Sequence, residues 1–362
     1  MAWNTQFGTL SNEVVSEDEL WSLFNYVFVG SAKKTTTYKF ALIKSILDNL
    51  FNNIQTTNGQ EILYTNLFKK FAESYWNLVV KYHLKQKADD TNGTISKIEQ
   101  IFKETVEKNP ILRNIEFNAI KLTKQNELIS KVQTECKKYV LGALYGDFQG
   151  KIYGYESKGD RIILSNFAYQ FMLKHKMELE KLNYYAWAKF LESINEEKIL
   201  YKVITKIETS LPQRQPLDIY RKILYEEFEQ NNCFYCGKKL NNDIIHVDHF
   251  IPWSFVKEDK LWNFVLSCQK CNTKKSNILP SRVLVSIIQK RNLHLIESIN
   301  NNKKSKVSQE IINSHFSNYN QNTIPNLWQY AFYSGFNIDQ KNTVIYKIDK
   351  DFGKIQVADS SK

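Results

Sequence analysis

The feature that most restricts this chain is the placement of four of its five cysteines. Cys233 and Cys236 form one C-x-x-C pair, Cys268 and Cys271 form a second, and 31 residues (237–267) separate the two. A C-x-x-C turn brings two sulfurs to one point, and two such turns can close a tetrahedral centre of soft ligands, which suits zinc. Four protein ligands leave no open position, so an ion held this way is structural. It would tie the entry of the segment at 233–236 to the start of a helix at 268–271. The N-terminal stretch MAWNTQFGTLSNEVVSEDEL carries neither a basic start nor a long apolar run, so no secretory signal is expected. The pairs are therefore read as metal ligands and not as disulfides; the alternative is four free thiols in a core. The fifth, Cys136, stands alone in a helical-looking stretch and is expected to be a buried, inert thiol.

At 362 residues the chain has room for two or three domains. Lys and Arg number 49 against 38 Asp and Glu, a net charge of +11, which favours a polyanionic partner, nucleic acid first. No apolar run approaches the roughly 20 residues that span a bilayer, so no membrane partner and a cytoplasmic location are expected. Residues 1–210 show apolar positions three and four apart in 37–53, 66–84 and 94–109, the last stopped by Pro110, and again in 167–194. Between them, 139–165 mixes glycine, tyrosine and alternating apolar positions and reads as two or three short strands. Two prolines in TKIETSLPQRQP (205–216) mark a boundary. The expected fold class is α+β. A mainly helical domain with a small hairpin region, 1–210, serves recognition or sensing. A metal-bearing domain follows at 211–300. A C-terminal extension at 301–362 carries helix and a hairpin with Gly353 in its turn.

Chemistry concentrates between the cysteine pairs. IIHVDHFIP places His246, Asp248 and His249 on a strand that runs into a turn at Pro252. Asp248 is a hard oxygen ligand apt for Mg²⁺, and His249 titrates near neutrality and can take a proton from water. Asn263 precedes a short apolar strand, Phe264-Val265-Leu266, and Asn272 sits in the first turn of the helix opened by the second pair. The knuckle and the hairpin can fold Asn272 back toward Asp248 as a second oxygen ligand. Lys270, Lys274 and Lys275 surround that helix start. His246 shares the strand face of Asp248 and either approaches the metal or makes a local hydrogen bond. Trp253 and Trp262 are read as packing residues, and Lys257, Glu258, Asp259 and Lys260 as a solvated loop.

This order of residues resembles the ββα-metal finger of HNH endonucleases, in the branch braced by four cysteines, with Asn272 in place of a third-position histidine. The run VDHFIPWSF…NFVLSCQKCNTKKSN also resembles the HNH domain of RNA-guided CRISPR effectors, which lack the cysteine knuckle. The resemblance covers about 230–282, under a fifth of the chain. It implies that His249 is the general base for attack by water on a phosphodiester. It implies one divalent cation, Mg²⁺ or Mn²⁺, held by Asp248 and Asn272. Asn263 would brace the loop and hold the His249 ring. Lys270, Lys274, Lys275 and Arg282 would contact phosphates. The reading requires Asp248 and Asn272 to share an ion and the His249 ring to reach solvent.

The function expected on these grounds is a metal-dependent DNA endonuclease in restriction or anti-phage defence, with double-stranded DNA as substrate. One site cuts one strand, so a duplex break requires a homodimer, two sequential nicks or a partner, and an activating partner or signal is a separate expectation. Two alternatives stand beside it: a zinc-finger nucleic-acid adaptor that does not cut, and an RNA-directed nuclease with the same site.

Overall fold

A computed structural model describes residues 6–11, 13–29, 32, 35–88, 94–200, 202–208, 216–240, 245–297, 305–339, 346–348 and 355–357. The chain divides into two compact units, Met1–Gln213 and Arg214–Lys362. Helices and small antiparallel sheets make up both.

The first unit opens with β1 (Phe7–Gly8), α1 (Glu17–Phe28), α2 (Tyr38–Asp48), β2 (Ile54–Thr56), β3 (Gly59–Leu63) and α3 (Tyr64–Trp76). It continues with α4 (Lys97–Lys108), α5 (Leu122–Asp147), β4 (Tyr153–Glu156) and β5 (Arg161–Leu164). It ends with α6 (Asn166–Lys174), α7 (Lys176–Ile194), α8 (Glu197–Leu200) and α9 (Val203–Glu208). Local signals set several of these ends. Ser16 caps α1 by accepting from the Glu19 N–H, and three acidic residues fill its first turn, where the helix dipole favours them. Ser96 and Glu99 form a capping box on α4, and Pro110 follows its end. The five strands pair antiparallel in the order β1-β4-β5-β3-β2. α2, α3, α5 and α7 pack together around fully buried Trp76, Trp187, Tyr64, Tyr75 and Tyr153.

The expected strands in 139–165 are corrected at their start. Residues 139–147 complete the 26-residue helix α5, and the strands begin only at Tyr153. Val140, Leu141 and Leu144 form a helical stripe against the core, and Gly142 and Gly146 are buried within the same helix. These two glycines therefore lie inside a helix and not in turns. Cys136 is fully buried in α5, and burial pushes its thiol well up.

The second unit begins with α10 (Asp218–Lys222), extended by a π-helical turn, Ile223–Glu227. The remaining elements are β6 (His246–His249), α11 (Trp253–Val256), β7 (Phe264–Ser267), α12 (Gln269–Lys275), α13 (Val283–Glu297), α14 (Lys306–Phe316) and α15 (Thr323–Tyr333). A last hairpin pairs β8 (Tyr346–Ile348) with β9 (Ile355–Val357); Gly353, expected in its turn, lies outside the described residues, as does the proline-bearing stretch 209–215. α13 packs on α14 and α15, and α14 packs on the turn Leu261–Asn263. The Trp328 indole of α15 donates to the Pro280 carbonyl at 2.9 Å. Among the described residues no helix is long and apolar enough to cross a membrane.

Candidate active site

The two cysteine pairs are brought together by backbone pairing. Residues 231–240 form a narrow loop closed by Leu240 N–H to Asn231 C=O (2.7 Å) and Cys233 N–H to Lys238 C=O (2.8 Å). Gly237, at φ 69°, makes the reversal that an L side chain resists. The Phe234 N–H donates to the Leu266 carbonyl at 2.8 Å, which moors this loop to the end of β7. The chain then runs from β7 straight into Cys268, the N-cap of α12, and Cys271 in its first turn. All four Sγ atoms lie within 4.8 Å of one another, and Cys236 and Cys268 are 3.9 Å apart. Tetrahedral zinc–thiolate bonds of about 2.3 Å place sulfurs roughly 3.8 Å apart, so the cluster can hold a structural zinc. Burial pushes Cys233 up to about 11 and Cys271 up as well. Cys268, despite burial, is held below its ordinary value, chiefly by the Cys271 N–H. Four thiols this close cannot all ionise without a cation between them.

β6 and β7 form the hairpin of the finger, with Asp248 opposite Val265 and His249 opposite Phe264. α12 packs on β6. Its last residue, Lys275, is 2% exposed and reaches back over the strand. Its ammonium donates to the His249 carbonyl at 2.7 Å and lies 3.2 Å from Asp248 Oδ2. The Tyr235 hydroxyl donates to the same Oδ2 at 2.6 Å. Burial lowers the Lys275 pKa while Asp248 opposes that shift. Asn272 is one turn earlier on α12, half-buried, on the side of the helix that carries Lys275. Asp248 and Asn272 thus belong to two elements in contact, with Oδ2 of Asp248 committed to the Tyr235 hydroxyl and the Lys275 ammonium.

Asn263 is fully buried and acts on the loop after β6. Its Oδ1 accepts from the Ile251 N–H at 2.8 Å and its Nδ2 donates to the Ile251 carbonyl at 2.9 Å. Its backbone carbonyl accepts from Phe250 N–H at 2.7 Å. The expectation that Asn263 also holds the His249 ring is corrected. That ring lies edge-on to Phe264, with centroids 4.7 Å apart, and its Nε2 is 2.9 Å from Asp259 Oδ1. The residues between 257 and 260 are likewise not a solvated loop. The Asp259 side chain is 13% exposed, and Lys260 is buried. Lys257, in the left-handed region at φ 55°, ends α11 and turns the chain inward.

The His249 side chain is 6% exposed, so the expected access of this ring to solvent is not met in this conformation. Of the four cations expected at phosphates, Lys275 is turned inward and that expectation is corrected: its ammonium is spent on Asp248 and His249. Lys270 and Arg282 are exposed, the latter with its guanidinium 5.9 Å from the Trp328 ring centre. Lys274 is half-exposed and 3.3 Å from Asp339 Oδ2. His246 is half-buried; its carbonyl accepts weakly from the Ser267 hydroxyl at 3.5 Å.

The family model for HNH endonucleases matches residues 233–281. This segment is similar to an HNH endonuclease domain. The match begins at the first knuckle cysteine and ends beyond α12, so it covers the hairpin, both knuckles and the helix described above. The cysteine cluster, which could hold a zinc ion, is consistent with the zinc-knuckle branch of that family. An HNH domain points to a nuclease, to nucleic acid as partner and to a divalent metal in its chemistry. No curated protein and no solved structure matches the chain.

Three contributors escaped the sequence reading. Tyr235 lies inside a C-x-x-C pair and was hidden by the stronger metal signal. Asp259 sits in a run of mixed charges, KEDK, which carries no spacing that links it to a histidine. His315, far from the finger in sequence, accepts the Leu261 N–H at its Nδ1 at 2.9 Å, and burial lowers its pKa to about 4. Only contacts between elements distant in sequence expose these roles.

Proposed function

We propose that this protein is a metal-dependent DNA endonuclease in which His249 is the general base and Asp248 and Asn272 hold the catalytic cation. The observation that carries the reading is the return of α12 over β6, where Lys275 spans Asp248 and the His249 carbonyl and Asn272 shares its side of the helix. A hard two-oxygen donor set completed by water suits Mg²⁺ or Mn²⁺. Such a cation, when bound, neutralises charge on the phosphate and the departing oxygen. The chain's own residues do the rest. His249 accepts the proton of the attacking water. Asn263 fixes the turn that follows it, and Lys275 balances the charge of Asp248. Exposed Lys270 and Arg282, with Lys274, attract the phosphate backbone. Because the His249 side chain is 6% exposed, this reading requires the groups that cover it to move before water reaches it. A place in restriction or anti-phage defence rests on one argument: a small finger reads little sequence, so its cutting must be confined by the rest of the chain.

A second reading, a nucleic-acid-binding module that does not cut, draws on the same burial of His249 and on the neutralisation of Asp248 by Lys275. One experiment separates them. The full chain is incubated with supercoiled DNA, linear phage DNA and RNA, with Mg²⁺ or Mn²⁺, as wild type and as His249→Ala. Metal-dependent cutting by the wild type, reduced at least about 10²-fold in the variant, supports the nuclease. Binding of DNA that is indifferent to metal and to His249→Ala, with no cutting, supports the module. Cutting confined to RNA moves the substrate class.

A further inference from the structure

We infer that Asp259 is the positioning residue that fixes the orientation and tautomer of His249, leaving Nδ1 as the nitrogen that accepts a proton. The inference rests on the nuclease reading only for its kinetic consequence; the contact itself does not depend on it. Asp259 Oδ1 lies 2.9 Å from His249 Nε2, and both side chains are largely removed from water, at 13% and 6% exposure. A carboxylate accepts and does not donate, so a neutral imidazole facing it carries its proton on Nε2. Nδ1 then keeps its lone pair. Phe264 also packs edge-on to the ring, with centroids 4.7 Å apart, which restricts its plane.

A loop contact of this kind positions a ring only if the loop is rigid. Here it is held from three directions. His315 of α14 accepts the Leu261 N–H at 2.9 Å, two residues beyond Asp259. Asn292 of α13 donates to the Trp262 carbonyl at 2.9 Å, and its amide also meets the Tyr319 hydroxyl at 3.1 Å. Tyr220 of α10 lays its ring 4.6 Å from Phe264 and 5.6 Å from His315. Helices on both sides of the finger in sequence therefore converge on the segment that presents Asp259. The carboxylate arrives at the imidazole from a scaffold, as positioning to a fraction of an ångström requires.

The test uses the full chain as wild type, Asp259→Ala and Asp259→Asn, the last nearly the same size so that folding is preserved. Proton NMR of nitrogen-labelled protein reads the hydrogen-bonded Nε2–H of His249 directly, with zinc content and backbone spectra as the check on folding. The expected result is a slowly exchanging Nε2–H signal in the wild type that is lost in Asp259→Ala. With DNA and Mg²⁺, kcat falls about 10²-fold in both variants while KM stays within a few-fold, the signature of a misplaced base and not of lost binding. Persistence of the Nε2–H signal in Asp259→Ala, or an unchanged kcat in both variants, overturns the inference. If the wild type cuts nothing, the nuclease reading fails, and the NMR arm still decides the role of Asp259.

Discussion

Asn263→Ala should destabilise the finger by an amount that can be worked from its contacts. The wild-type amide satisfies both backbone groups of Ile251, a residue that is itself fully buried, through bonds of 2.8 and 2.9 Å. Truncation to alanine leaves one buried N–H and one buried C=O without partners. Each such loss costs about 1–3 kcal/mol, so the expected total is about 2–6 kcal/mol. Asn263→Asp keeps nearly the same volume and still accepts from the Ile251 N–H. It turns a second oxygen toward the Ile251 carbonyl, so its cost should be of similar size although no cavity forms. Urea titration of the full chain, followed by hydrogen exchange resolved at residues 249–264, separates this loop from the first unit. Since 1.4 kcal/mol is a factor of ten, protection at the Ile251 amide should fall at least about 25-fold in both variants. A loss under about 1 kcal/mol in both, with Ile251 protection unchanged, would refute the idea that this amide clamps the turn after His249.

Two further outcomes follow from the same unit. His315 accepts the Leu261 N–H and so must be neutral; burial, assisted by Lys260, lowers its folded pKa to about 4 from 6.5, while Asp259 opposes the shift. With the folded value below the unfolded one, the unfolded state binds more protons between them. His315 therefore contributes stability fully above 6.5 and loses it as pH falls toward 4, a difference of about 3 kcal/mol. His315→Gln keeps an acceptor without titrating, so the gap between wild-type and variant urea midpoints should change between about pH 7 and about pH 4; a constant gap contradicts this. For the knuckle, mass spectrometry under native conditions should find one zinc per chain, lost in Cys233→Ser and retained in Cys136→Ser. Chelation should raise amide exchange across 233–275 and leave the first unit protected, because thiolate sites of this kind fold with their metal.

The legible part of this protein is the part written in short spacing. Two C-x-x-C turns can be read along the chain because each places its sulfurs by local geometry. The Asp248-His249 pair, Asn263 and Asn272 follow in an order that a hairpin and helix must respect, and the matched segment 233–281 contains all of them. The helices at 97–108 and 166–194 were visible from apolar periodicity, since one face of each is buried. The end of α5 was not. Gly142 and Gly146 look like turn residues in the sequence, yet both are buried within the helix.

The amino-acid order alone determined where a metal knuckle and a histidine-bearing hairpin lie, because both arise from residues a few positions apart. Only the folded chain decided which partners those side chains keep. Lys275 is a surface cation by sequence and a buried counter-charge in the structure, since the rise of α12 returns it over β6. Asp259 is one charge among four by sequence and the partner of His249 once α13 and α14 press its loop inward. Burial is a property of what arrives from elsewhere in the chain, and with it come the dielectric, the hydrogen bonds and the proton affinities on which a site's chemistry depends.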